Sequence, residues 1–333
     1  MTAQAGYDIG IVGAGAWGTT LSAHLARSGH RVLLWAFEPE VAGEINIKGR
    51  NSVFLPELDL AAGIEATSDI SDLRHIDRLL IAIPSAYLAD TLARLQSHIC
   101  PGAWILSATK GFLGPDLMRP TEFLSAKLPG HPLGALSGPN LAREVARELP
   151  AISLVASDDE RLIGEFQRLL STERFRVYGS KDVAGCELGG ALKNIIAIAA
   201  GVADGLDLGQ NALAGLITRG LAEMMKLGSE LGASERTFFG VSGMGDLICT
   251  CQSRLSRNHQ VGQRIAGGET LEQIVRSMAA VAEGIDTTKH VHAYAQAHTL
   301  DLPITRAVFD VLFKQADPAR ALRDLMTRAL KME

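Results

Sequence analysis

The sequence predicts an α/β protein, with a doubly wound parallel sheet in its first half and an all-helical second half. Three observations carry this. Short apolar β-type runs alternate with amphipathic segments through the first half, a Gly-x-Gly-x-x-Gly turn joins the first run to the first helical segment, and helical spacing dominates from Asp182 onward. Alternation of strand and helix implies parallel pairing with helices on both faces.

Taken in order, the apolar runs are 9–12, 32–35, 79–83, 104–106, 133–136 and 152–155, with helical patterns between them at 17–28, 86–99 and 141–148. Two stretches fit neither pattern: 47–60 reads mostly as loop, and 111–120 is broken by Gly and Pro. A helix at 161–170 and a last strand at 175–178 follow. The remaining helices are expected at 182–206, 211–231, 271–278, 287–298 and 305–313. The boundary is expected near residue 185, giving a nucleotide-binding part at 1–185 and a helical part at 186–333. No repeat or low-complexity tract interrupts either part.

At 333 residues the chain is long enough for two domains, and with 47% hydrophobic and 21% charged residues it can bury large cores. A net charge of -5 argues against a nucleic-acid surface. Four cysteines are too few for a disulfide scaffold. The first eight residues lack the basic start of a signal peptide, and the apolar run 195–202 is under half a membrane span. These features predict a cytoplasmic protein without membrane insertion.

The turn Gly13-Ala14-Gly15-Ala16-Trp17-Gly18 has a role for each glycine. Gly13 permits the tight turn, Gly15 lets a pyrophosphate approach the backbone, and Gly18 allows the helix to pack on the strand. The helix N-terminus offers N–H groups and partial positive charge to the phosphates. A dinucleotide is therefore expected here. Past the second strand, Glu38 either accepts from a ribose 2'-hydroxyl, favouring NAD, or only begins the next helix beside Pro39. Neither Ala36 nor Phe37 supplies a cation for a 2'-phosphate, although Phe37 can stack on adenine.

Ligands of open parallel sheets collect at the carboxyl ends of the strands. Three such ends carry distinctive residues: Ile83-Pro84-Ser85, Thr109-Lys110-Gly111 and Ser137-Gly138-Pro139-Asn140. Lys110 suits an anion ligand. The last segment also reads as an N-capping turn.

In the helical half, spacing puts Gly189, Gly190, Ala197 and Ala200 on the face of Lys193. That face is stripped of bulk, leaving room for another segment or a small ligand beside the ammonium. Interior glycines cost a helix about 1 kcal/mol each, so something must offset them. Apolar surroundings would bring the lysine from about 10.4 toward the range of a general acid–base. The alternative is a snorkelling lysine at a tight helix contact. Further on, Gly243-Met244-Gly245-Asp246-Leu247 reads as a tight turn presenting a carboxylate able to orient an ammonium, and Ser256-Arg257-Asn258 as a phosphate grip or a helix cap. Cys249-Thr250-Cys251 lacks the spacing of a metal site, and His259, His290, His292 and His298 read as structural or surface histidines.

Together these motifs resemble the bacterial glycerol-3-phosphate dehydrogenase family. The likeness rests on the glycine turn, Ala108-Thr109-Lys110-Gly111, Leu136-Ser137-Gly138-Pro139, Ala191-Leu192-Lys193-Asn194, the Gly243 segment, Ser256-Arg257-Asn258 and Ala282-Glu283-Gly284. The resemblance implies a Rossmann-type domain and an all-helical domain, with the active site in the cleft between them. It also implies a homodimer that interconverts dihydroxyacetone phosphate and sn-glycerol 3-phosphate with NAD(P)H, for phospholipid synthesis. It makes Lys193 the general acid–base, with Lys110, Gly138, Asn140, Asp246, Ser256, Arg257 and Asn258 at the substrate. Gly13, Gly15, Ala16, Trp17, Gly18, Phe37, Lys110, Ala142, Arg257, Val281 and Glu283 would meet the cofactor.

Three positions depart from the family pattern. Ala16 stands where serine is frequent, Asn140 where serine or threonine is frequent, and Phe37 where members accepting NADP often carry arginine or histidine. The resemblance therefore implies NAD or NADP, with Glu38 favouring NAD. The rival readings are a 3-hydroxyacid or phosphogluconate-type dehydrogenase, which shares the two-part plan and a Lys-Asn pair, and a nucleotide sensor without turnover.

Overall fold

The computed structural model describes residues 6–278 and 282–329. The chain folds as two compact units: residues up to Lys110 with Pro120–Glu187, and Gly111–Arg119 with the chain from Leu188 on. The division falls inside the helix Val183–Gly205. The short stretch Gly111–Arg119, with Phe112 and Leu117 buried, groups with the second unit.

Ten strands form in the first unit: β1 Ile9–Val12, β2 Val32–Trp35, β3 Arg50–Asn51, β4 Leu55–Asp59, β5 Ile64–Thr67, β6 Arg78–Ile81, β7 Trp104–Ser107, β8 Leu133–Ser137, β9 Ala151–Ala156 and β10 Phe175–Ser180. Eight make one sheet in the order β10-β9-β8-β7-β6-β1-β2-β5. The interior strand β1 pairs in parallel with β2 and β6, with Val12 opposite Trp35 and Ile81. This register aligns the carboxyl ends of the three strands. Ile9, Ile11, Leu34, Leu80, Leu106 and Val155 are fully buried between flanking helices, which explains runs that read as continuously apolar.

Parallel pairing fails at one place. β8 and β9 are antiparallel. The helix between them, Ala142–Ala146, has five residues and rises about 7.5 Å. That cannot return the chain along a strand of about 17 Å, so β9 starts from the end where β8 stops. From β9 to β10 the helix Glu160–Leu170 has 11 residues, and that pair is parallel. The stretch read as mostly loop also contains β3 and β4, an antiparallel pair. The edge strand β5 went unpredicted because it buries only Ala66 and carries little apolar signal.

The second unit is helical, and no strand follows Ser180 among the described residues. Helices span Val183–Gly205, Gly209–Glu230, Glu235–Phe238, Asp246–Gln252, Arg257–Ala266, Leu271–Ser277, Gly284–Ala297, Pro303–Phe313 and Pro318–Met326. The first agrees with the helix expected at 182–206. Its 23 residues have the length and hydropathy of a membrane span, but 83% of its most apolar window is buried inside the protein, as in a core helix.

Glu223, on the helix Gly209–Glu230, is buried in this core. Its carboxylate accepts from Ile304 N at 2.5 Å and from Thr305 N and Oγ1 at 3.1 Å, capping the helix Pro303–Phe313 from a distance in sequence. Burial outweighs these donors and pushes the carboxyl up to about 7. The folded state therefore holds this proton more tightly than the unfolded chain, where the value is about 4.3. Its contribution to stability is complete below about pH 4 and declines by about 3 kcal/mol as pH rises through about 7. The stability difference between wild type and Glu223→Gln, measured by urea unfolding, should shift by that amount between about pH 4 and pH 8. A difference constant with pH would overturn the assignment.

Candidate functional site

In the first unit the glycine turn is fixed by contacts that tolerate no side chain. Gly13 has φ +114°, and a Cβ there would lie 2.7 Å from the Ala82 carbonyl. Gly13 N donates to Trp35 O at 3.0 Å, tying the turn to the end of β2. A Cβ on Gly18 would collide with the Gly13 carbonyl, so the helix Ala16–Arg27 lies directly on the turn. Gly15 is different: a Cβ there would meet nothing within 4 Å. It is the N-cap of that helix, no side chain caps it, and the first turn carries no acidic residue. An open approach to uncapped N–H groups at a positive helix end fits a pyrophosphate. Ala16 and Trp17, half-buried, begin this helix.

Sequence reading missed the residue that holds the turn from behind. Asn51, fully buried, donates from Nδ2 to Ala14 O and Thr19 Oγ1, each at 2.8 Å, while Thr19 Oγ1 donates to Ala14 O at 3.0 Å. It lies in the stretch read as loop, where nothing local marks it. Ala142 also comes close to this helix, its carbonyl accepting from Thr20 Oγ1 at 3.2 Å. Phe37 stands past β2 with 65% of its surface exposed. Glu38 is the N-cap of the helix Pro39–Lys48, as one of its two readings had it, yet its side chain makes no capping bond.

Half-buried Lys110 follows β7, just past Thr109. The hydroxyls of Thr109 and Ser137, near the carboxyl ends of β7 and β8, are buried without a hydrogen-bond partner among the described residues. Gly138 packs so tightly that a Cβ would sit 3.0 Å from Ile152 O and from Ser153 Cα. The N-capping reading of this segment is corrected. The cap of the following helix is Leu141, without a side-chain bond. Asn140 instead ties the β8–β9 corner, donating to Ile152 O at 2.8 Å and accepting from Ser153 Oγ at 3.0 Å.

In the second unit, Lys193 is buried and its ammonium donates to the Asp246 carboxylate and, at 2.7 Å, to Thr250 Oγ1. Two expectations are corrected here. The surroundings of Lys193 are not simply apolar, because Asp246 supplies the counter-charge that a buried ammonium requires. Nor is Gly243 to Leu247 a simple tight turn. Val241–Gly245 forms a single π-helical turn that runs straight into the helix Asp246–Gln252, placing Asp246 at its first position.

Gly189, on the Lys193 face, has a physical reason. A Cβ on Gly189 would lie within 3.0 Å of Ser242 O, so the π-helical turn rests directly on the backbone of the lysine helix. Gly243 in turn approaches the backbone of Phe238 too closely for any side chain. Thr250, overlooked in sequence, donates to Asp246 O at 2.6 Å, one helical turn back. Its oxygen lone pairs are thereby left toward Lys193. Neighbouring Cys251 is fully buried, and burial pushes its thiol up to about 12.

Ser256 caps the helix Arg257–Ala266, its Oγ accepting from His259 N at 3.3 Å. The capping reading therefore holds for this serine. Arg257 is exposed at the first position of that helix, and among the described residues it has no carboxylate within ion-pair distance. Asn258 is buried and accepts from Gly284 N at 2.9 Å, pinning the start of the helix Gly284–Ala297, whose N-cap is Glu283. Val281 lies outside the described residues. The structural histidines include His292, stacked on Phe309 at 3.7 Å, and His259, whose burial lowers its proton affinity.

Comparison with known proteins agrees with both halves. The family model for the NAD-dependent glycerol-3-phosphate dehydrogenase N-terminus matches residues 8–163, and that for its C-terminus matches 182–323. A glycerol-3-phosphate dehydrogenase [NAD(P)+] of Syntrophotalea carbinolica is 43% identical over 98% of this chain and 99% of its own. The solved glycerol-3-phosphate dehydrogenase of Coxiella burnetii superposes with a TM-score of 0.93 at 36% identity, covering 97% of this chain and 99% of that one. That of Plasmodium falciparum gives 0.87 at 25% identity, covering 98% and 97%. An open phosphate turn, a buried Lys–Asp–Thr cluster and these full-length likenesses place the chain in the NAD-dependent glycerol-3-phosphate dehydrogenase family.

Proposed function

We propose that this protein catalyses the reversible reduction of dihydroxyacetone phosphate to sn-glycerol 3-phosphate, with Lys193 as general acid in that direction and general base in reverse. The observation that carries the reading is the buried ammonium of Lys193, held by Asp246 and Thr250. Bound NADH or NADPH supplies the hydride for the ketone carbon. As negative charge grows on the ketone oxygen, the Lys193 ammonium stabilises it and delivers the proton. Asp246 and Thr250 fix the direction of the amine. Arg257, exposed at a positive helix end, grips the phosphate and supplies binding energy that positions the ketone.

Lys110 steadies the substrate beside the cofactor. Gly138, Asn140, Ser256 and Asn258 shape the walls, and the last three also hold the local backbone in place. We place the enzyme in the cytoplasm as a homodimer that supplies glycerol phosphate for phospholipid synthesis. Initial rates with dihydroxyacetone phosphate, set beside a panel of 3-keto and 3-hydroxy acids, test the substrate. Turnover of the acids alone would overturn it. Arg257→Ala should raise KM for dihydroxyacetone phosphate about 10- to 100-fold, the loss expected for a charge-assisted hydrogen bond, with a smaller change in kcat. An unchanged KM would remove Arg257 from the phosphate.

A further inference from the structure

The carboxyl end of β2 is the region that distinguishes a ribose 2'-hydroxyl from a 2'-phosphate in doubly wound nucleotide-binding sheets. By sequence this end has no cation, since Ala36 and Phe37 follow Trp35 and the next residue is Glu38. The fold brings one from elsewhere. The helix Ser85–Leu95 carries Arg94 in its last turn, and its guanidinium carbon lies 5.5 Å from the ring centroid of Trp35 and 5.5 Å from that of Phe37. The two rings stand edge to face, 6.3 Å apart. Trp35 is buried and its Nε1 donates to Ser68 O at 3.2 Å, so this platform is anchored.

Arg94 itself is exposed and has no carboxylate within ion-pair distance among the described residues. A guanidinium lying over aromatic faces keeps its N–H edge free for a planar or tetrahedral anion. Glu38 lies at the same strand end, with a carboxylate that performs no capping. It suits a 2'-hydroxyl and repels a 2'-phosphate. The two residues thus pull coenzyme choice in opposite directions.

We propose that Arg94 is the residue that admits the 2'-phosphate of NADP, doing from a neighbouring helix what no residue following β2 can do. Phe37 and Trp35 set the plane of the guanidinium. Glu38 keeps NAD usable, which makes the enzyme dual in its coenzyme. This inference rests on the reading of the glycine turn as a dinucleotide site, so its test must separate the two.

Calorimetric titration of the full-length protein with NADH and with NADPH, which differ only in the 2'-phosphate, gives the ratio of their Kd values without any turnover. In Arg94→Gln, which retains a long polar side chain at an exposed position, that ratio should move against NADPH by about tenfold or more. In Glu38→Gln it should move toward NADPH. Added KCl should also weaken NADPH binding to the wild type more than NADH binding, because the contact to the 2'-phosphate is between exposed charges. A ratio within about twofold of wild type in Arg94→Gln, with NADH still binding, would overturn the role of Arg94 alone. Binding of neither dinucleotide to the wild type would overturn the glycine-turn reading and this inference together.

Discussion

Lys193→Met is expected to lower kcat about 10²- to 10⁴-fold, the range in which a positioned general acid contributes, while NADH binding stays within about twofold of wild type. The size follows from the cluster. Asp246 and Thr250 hold the amine in one direction, as the proposed proton transfer requires. The substitution also takes the Lys193 cation away from the Asp246 carboxylate, which is 1% exposed. Breaking one side of a buried ion pair costs about 3–5 kcal/mol, so the single variant loses stability as well as activity. Pairing Lys193→Met with Asp246→Asn separates the two effects. The double variant should recover most of the unfolding free energy and none of the rate. Recovery of turnover with stability would mean that Lys193 serves the fold alone, and wild-type kcat in either variant would end its role in proton transfer.

The residues proposed to carry the chemistry are conspicuous in the sequence, and the contacts that orient them are not. Gly13, Gly15 and Gly18 announce a phosphate turn because each replaces a side chain for a local reason. Lys193 is conspicuous because small residues surround it on its own helix. Asp246 carries a weaker local signal, and its pairing with Lys193 spans 53 residues of sequence. Asn51, Thr250 and Arg94 are invisible by pattern. Each sits in a segment of ordinary composition, and each acquires its role only when packing brings it to a turn, an amine or an aromatic platform. The strands show the same division. β1 and β2 are buried on both faces and match the apolar runs residue for residue, whereas β5 lies at the sheet edge and its run is short. The reversal at β9 follows from the length of one connecting helix, a quantity that periodicity leaves uncertain by several residues.

Gly262→Ala is expected to destabilise the protein by about 3 kcal/mol, although the same change in an open helix would help. A Cβ on Gly262 would lie within 3.0 Å of Ile198 O and Val202 N, and one on Gly201 equally close to the backbone of His259. The helices Val183–Gly205 and Arg257–Ala266 therefore cross with their backbones in contact. Backbone atoms cannot swing aside as a flexible side chain can, so the whole helix must move. Gly215, on the helix Gly209–Glu230, supplies the contrast. It is exposed, nothing lies within 4 Å of its would-be Cβ, and Gly215→Ala should gain about 1 kcal/mol from helix propensity. Urea unfolding of the two variants should thus give shifts of opposite sign. A Gly262→Ala protein as stable as Gly215→Ala would mean that the two backbones do not touch at the crossing. The consequence reaches the site, because Arg257 begins the displaced helix while Lys193 lies on its neighbour. If Arg257 holds the substrate phosphate as proposed, pushing the two apart should raise KM for dihydroxyacetone phosphate in the surviving folded enzyme.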